Sequence, residues 1–202
     1  MKVKICGMKY PENIVEISKL EPDYLGFIFW KNSKRYFDAS LPALPESIQK
    51  VGVFVDASYE EIAEKIRAYT LDVVQLHGVE SAEFCRGLKN ENVKIIKAFS
   101  LSPDFDFEVL RTYEAVCDYF LFDTKGKLPG GNGQTFDWDL LKKYTLQKPI
   151  FLSGGIGLEE IPLIKALDLP IFAIDMNSKL EVEPGLKDVE RCKKAKEMIA
   201  GF

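Results

Sequence analysis

Short runs of Val, Ile, Leu and Phe recur about every 25 residues along the chain, and the stretch after each carries apolar residues at helical spacing. Eight runs stand out, near residues 2–6, 24–29, 50–55, 72–76, 93–98, 118–122, 149–152 and 171–174. Their near-continuous apolar character is that of strands covered on both faces of a parallel sheet. Ile62, Ile66 and Tyr69 mark a helix from Tyr59 to Ala68, and Val189, Cys192, Ala195 and Ile199 mark a final one from Lys187. Ser102, Pro103 and Asp104 read as the N-cap, first-turn proline and first-turn acid of a helix over Phe105 to Val116.

Repeated βα units either close into a barrel or open into a doubly wound sheet. A sheet this wide without a topological switch motif is the weaker fit, so the pattern predicts a single-domain (β/α)8 TIM barrel over residues 1–202. So few residues per unit predict short connections with few insertions. A hydrophobic content of 47% suffices for a full core, and no low-complexity stretch divides the chain. The net charge of -4, with both signs interspersed, offers no basic stripe for nucleic acid. No apolar run approaches the ~18 residues that span a bilayer, and no secretory leader pattern opens the chain, so a cytoplasmic protein without membrane contact is expected. The cysteines at 6, 85, 117 and 192 lie far apart in sequence, which predicts reduced thiols, and a single histidine predicts no metal centre. No cofactor is implied. A barrel charged all round is compatible with a monomer or a homodimer.

Side-chain alternation puts Lys2, Lys4 and Cys6 on one face of the first strand, Val73, Gln75 and His77 together on the fourth, and Tyr119, Leu121 and Asp123 together on the sixth. Parallel barrels keep their chemistry at the C-terminal ends of strands, so Cys6, His77 and Asp123 are candidates to share one mouth. Cys6 alone reads equally as a small buried hydrophobe, and Asp123 as a loop cap. Cys85, Cys117 and Cys192 read as structural. Asp123 follows four large apolar residues, where burial would favour its protonated form. Ser153-Gly154-Gly155-Ile156-Gly157 follows the seventh strand, with Asn177-Ser178 after the eighth. Barrels bind phosphate on such loops through backbone N–H groups. Gly130-Gly131-Asn132-Gly133 is a weaker signal, consistent with a plain turn. Arg35 is either a surface charge or a bidentate clamp for a carboxylate or phosphate. Lys4, roughly 6.6 Å before Cys6 along its face, either favours the thiolate or pairs with an acid from another strand.

Taken in order, Lys4-Ile5-Cys6-Gly7, Gly26-Phe27-Ile28-Phe29, Ser33-Lys34-Arg35, Val74-Gln75-Leu76-His77-Gly78, Phe122-Asp123-Thr124, Leu152-Ser153-Gly154-Gly155-Ile156 and Asp175-Met176-Asn177-Ser178 through Pro184-Gly185-Leu186-Lys187-Asp188 resemble the phosphoribosylanthranilate isomerase family of tryptophan biosynthesis. The resemblance implies a cofactor-free barrel that rearranges a phosphorylated aldosamine to its ketosamine. It implies Cys6 as general base, Asp123 as general acid and Arg35 as the carboxylate clamp. Gly154, Gly155, Asn177 and Ser178 would bind phosphate, with Asp175 in the pocket. Three positions depart from the family pattern: Lys34 for a proline, Asn132 for Thr or Ser, and Lys179 for a glycine. If position 179 needs positive φ, its lysine costs about 1 kcal/mol or more.

The implied chemistry demands a protonated carboxyl and a thiolate, against ordinary values of about 3.9 and 8.5, so the surroundings must move them. Two other readings stand beside this one. The histidine-pathway sugar isomerase would carry Asp where this chain has Cys6, and a silent phosphate-binding barrel would have no use for the acid and base.

Overall fold

The computed structural model describes residues 1–124, 138–167 and 169–201. Eight parallel strands close a barrel in chain order: β1 (Lys2–Ile5), β2 (Tyr24–Ile28), β3 (Gln49–Phe54), β4 (Val73–Leu76), β5 (Lys94–Leu101), β6 (Tyr119–Thr124), β7 (Ile150–Leu152) and β8 (Ile171–Met176). Each overlaps one of the predicted apolar runs. β8 closes the ring by pairing with β1.

Strand alternation sorts the side chains into two layers. Cys6, Tyr24, Val53, Leu121, Phe151 and Ala173 pack inside the barrel. Val3, Ile5, Phe27, Phe122 and Ile174 point outward into the larger core beneath the helices. Burying a side chain of this size stabilises by about 1.5–3 kcal/mol, so a one-residue slip of any strand would exchange the layers and is strongly disfavoured.

The outer shell is less regular than the sequence predicts. Among the described residues five α-helices form: α1 (Pro11–Ser18), α2 (Tyr59–Tyr69), α3 (Ala82–Leu88), α4 (Ile161–Lys165) and α5 (Val189–Ala200). Local chemistry sets their starts. Ser58 and Glu61 make a capping box on α2, Ser81 caps α3 and Asp188 caps α5. No helix joins β2 to β3; residues 29–48 cross the flank as an irregular connection, contrary to the short loop expected. Pro42 and Pro45 push the residues before them out of the helical region. The helix expected from Phe105 is also absent. Ser102 instead accepts a turn bond from the Phe105 amide at 2.9 Å, and a 3-10 helix spans Phe107–Thr112 with Asp106 as its cap. Phe107, Leu110, Tyr113 and Val116 recur every third residue, which suits three residues per turn better than 3.6.

After β8 the chain makes a 3-10 turn (Ser178–Leu180) and a small hairpin, β9 (Glu181–Glu183) and β10 (Leu186–Lys187), before entering α5. Far from this end, the thiols of Cys85 and Cys117 hydrogen-bond to each other, so two cysteines distant in sequence are neighbours in space. No helix among the described residues is long and apolar enough to cross a membrane.

Candidate active site

Cys6 lies one residue beyond β1, with its amide still bonded to the Met176 carbonyl at 2.9 Å. Its side chain therefore keeps the inward direction of Lys4. Asp123 points inward from β6 and His77 from just past β4. These three line one mouth with Arg35, Gln75, Ser153, Asp175 and Asn177, around a cavity of about 60 Å³. A larger depression of about 780 Å³ lies on the flank along residues 38–50, beside the connection that lacks a helix. None of the predicted site residues borders it.

The β1–β8 register sets Lys4 opposite Asp175, and parallel neighbours project to the same side. The Lys4 ammonium accordingly meets Asp175 Oδ2 at 2.9 Å, both groups buried. This is the interior ion pair, and the same ammonium also favours the Cys6 thiolate. Burial pushes the Cys6 thiol up; Lys4 pulls it down, Asp175 pushes it up and Lys187 pulls it down, with a net rise. Lysine alone therefore does not bring the thiol below its ordinary value. Burial also raises Asp175, against the pull of Lys4, and the nearby Asp123 adds to the rise.

Gly26 makes room for the thiol. A Cβ there would lie 2.8 Å from Cys6 Sγ, closer than side chains approach one another. Gly7 (φ +75) plays the same part behind it, since a Cβ would come within 2.7 Å of both Arg35 Cδ and Asn177 Oδ1. Arg35 grips Glu181 in a two-pronged pair, Nε to Oε1 at 2.8 Å and Nη2 to Oε2 at 2.7 Å. The clamp expected for a ligand is thus itself anchored by a carboxylate. Burial works against the Glu181 charge, but Arg35 and Lys187 outweigh it and hold the carboxyl below its usual range.

On the facing wall, His77 Nε2 lies 3.4 Å from Asp123 Oδ2. The Gln75 amide nitrogen lies 3.2 Å from His77 Nδ1. As an N–H donor, that amide makes Nδ1 the acceptor and leaves the ring proton on Nε2, facing Asp123. Asp175 Oδ1 and Gln75 Oε1 are buried without hydrogen-bond partners. Such atoms are rare in folded interiors, and here both belong to residues lining the mouth.

A second hollow adjoins the first, bordered by Asp123, Ser153, Gly154, Gly155, Asp175, Asn177 and Ser178. Gly154 (φ +96) and Gly155 (φ +65) take left-handed backbone, which only glycine adopts without strain. α4 does not begin directly after them, yet the Ile161 amide already bonds the Gly157 carbonyl at 3.3 Å. Lys179 carries no backbone strain: the left-handed non-glycine residues are Glu21, Asp56, Thr70 and Asn92. Lys179 lies within the 3-10 turn, with its Cβ over Gly157. The Gly130–Gly133 segment, including Asn132, lies outside the described residues. Every other predicted site residue borders one of the two hollows. Strand alternation already places Gln75 beside His77, but sequence reasoning did not single out Gly26, Glu181 or Lys187; their only signal was membership of longer motifs.

With its polar groups gathered at the C-terminal mouth of a closed parallel barrel, the chain has the build of a TIM-barrel enzyme. The sequence model of the N-(5'-phosphoribosyl)anthranilate (PRA) isomerase family matches residues 3–197, and the chain belongs to that family. An N-(5'-phosphoribosyl)anthranilate isomerase from Parabacteroides distasonis is 44% identical over 96% of this chain and 90% of its own. The crystal structure of phosphoribosyl anthranilate isomerase from Thermus thermophilus superposes with a TM-score of 0.86 at 27% identity, covering 100% of this chain and 99% of that one. Another phosphoribosyl anthranilate isomerase, solved in complex with reduced 1-(o-carboxyphenylamino)-1-deoxyribulose 5-phosphate, matches with a TM-score of 0.84 at 31% identity over 100% of both chains. The reaction of the chain is that of the family, isomerisation of PRA in tryptophan biosynthesis.

Proposed function

We propose that Cys6 and Asp123 are the base and acid of an Amadori rearrangement carried out across the mouth. Asp123 gives its proton to the furanose ring oxygen while the anilinic nitrogen lone pair forms a C=N bond and the C1–O bond breaks. The Cys6 thiolate then takes the proton from C2. The C2–H electrons form the enamine, whose tautomer is the ketosamine. These two proton transfers reach the enamine; its tautomerisation moves the 2-hydroxyl proton to solvent and a solvent proton to C1, and exchange with solvent returns Asp123 to the acid and Cys6 to the thiolate.

The observation that carries this reading is that Cys6 and Asp123 line one mouth, and that Asp123 also borders the adjoining hollow built on Gly154 and Gly155. A substrate whose phosphate sits at Gly154, Gly155, Asn177 and Ser178 presents its ribose to both groups. Arg35 holds the anthranilate carboxylate, His77 steadies Asp123, and the unpartnered Asp175 Oδ1 accepts a sugar hydroxyl.

The test is conversion of freshly generated PRA by the wild type and by Cys6→Ser, with the ketosamine followed by chromatography. Product from the wild type and almost none from the variant is expected. Equal product from both would move the base elsewhere.

A further inference from the structure

Lys187 is wholly buried, yet the acid–base chemistry gives it no task. Its ammonium donates to Glu181 Oε1 and to Asn177 Oδ1, each at 2.7 Å. Its backbone is held from the other side by Asn13 of α1, which accepts from the Lys187 amide at 2.8 Å and donates to its carbonyl at 2.9 Å. Desolvating a lysine costs several kcal/mol, and an apolar side chain of similar size is often as stabilising. Stability alone is a weak reason for this residue.

The connections of Lys187 supply a better one. β9 and β10 pair Lys187 with Glu181. Glu181 Oε1 is then shared by Lys187, Arg35 Nε and the Gly185 amide, so the carboxylate that orients Arg35 is itself fixed by Lys187. Asn177 borders both hollows. An ammonium can only donate, so Lys187 fixes Asn177 with its oxygen inward and its NH2 turned away, ready to serve an anion. One buried side chain thus joins two groups that line the mouth, Arg35 through Glu181 and Asn177 directly.

We propose that Lys187 is a positioning residue that sets Arg35 and Asn177, two anion-binding groups of the site, at a fixed spacing from each other. The proposal rests on the reading of the mouth as a site for a substrate carrying a carboxylate and a phosphate. Charge supports it. Lys187 and Lys4 both draw the Cys6 thiol down, against Asp175.

The experiment measures kcat and KM with PRA, and inhibition by anthranilate and by inorganic phosphate separately, for wild type, Lys187→Met, Arg35→Ala and Asn13→Ala. In Lys187→Met both inhibition constants and KM should rise about tenfold, with kcat far less affected. Arg35→Ala should raise the anthranilate constant alone. A Lys187→Met protein that folds and binds both probes as wild type does, or loses only one, overturns the proposal; a merely structural lysine would lower stability without this paired loss. Should Lys187→Met fail to fold, Asn13→Ala loosens the backbone clamp without touching the mouth. The same paired rise, smaller, is then expected, and unchanged constants overturn the proposal. A wild type that makes no ketosamine refutes the underlying reading of the site instead, and the two failures are told apart by that control.

Discussion

The two walls of the mouth are built by different physics. Around Cys6, Lys4, Asp175, Arg35, Glu181 and Lys187 interlock, so the thiol sits in a dense field of charge whose separate contributions partly cancel. Asp123 instead lies near the end of β6, whose outward residues Phe120 and Phe122 are fully buried, and it faces His77, which is in turn held by the Gln75 amide. Cys6 is set in charge contributed by several elements. Asp123 is set by strand packing, with His77 in front of it and Asp175 near by. A substitution near Cys6 should therefore be felt at a distance, whereas one near Asp123 should act locally.

The largest expected effect tests whether the walls act together. Removing either proton-transfer group should cost about 10²–10⁴ in turnover, so Cys6→Ser and Asp123→Asn should each lower kcat by that order with a modest change in KM. Comparable turnover in one variant would leave that wall without a chemical part.

A smaller effect sharpens the picture of the Cys6 side. Gly26→Ala adds no charge, but its Cβ would press on Cys6 Sγ at 2.8 Å and Cys6 Cα at 3.1 Å. The sulfur can turn aside, but its backbone cannot. Misplacement on the ångström scale typically costs up to about 10²-fold, so kcat should fall roughly ten- to a hundredfold while substrate affinity changes little. Unchanged kcat would mean that the thiol has room the geometry denies it.

The barrel was legible because strand burial writes directly into sequence: Val73, Gln75 and His77 alternate with Val74 and Leu76, and period two fixes which side each faces. Cys6, His77 and Asp123 were legible for the same reason. The outer shell was not. Proline positions and a three-residue apolar repeat overrode the helical expectation at 29–48 and 105–116. Glu181 and Lys187 were hidden because their meaning depends on a hairpin whose register pairs residues with Arg35 and Asn177, far away in sequence. Charged residues near a chain end read as solvent-facing until the fold buries them. Nor does separation in sequence reveal that the Cys85 and Cys117 thiols touch.

The smallest effect concerns the Cys6 titration, where burial and neighbouring charges compete. Burial leads the upward shift and Lys4 and Lys187 oppose it, so the thiol in the free enzyme should ionise above its ordinary value of 9.0. kcat/KM reports ionisations of the free enzyme and should keep rising into that range rather than level off near neutrality. The folded state holds the proton more tightly than the unfolded chain. The associated stability is therefore fully present below 9.0 and is lost as pH rises through the higher folded value. The urea midpoint of the wild type should decline over that interval more steeply than that of Cys6→Ser. Taking the difference between the two proteins removes the contribution of Cys85, Cys117 and Cys192, which are also free and buried. Ultraviolet absorbance of the thiolate, taken as the same difference, places the midpoint directly, and Lys4→Met should move it further up. A midpoint below the ordinary thiol value would mean that the lysines outweigh burial, and the Cys6 wall would then be a preformed thiolate site rather than one in which burial holds the proton on.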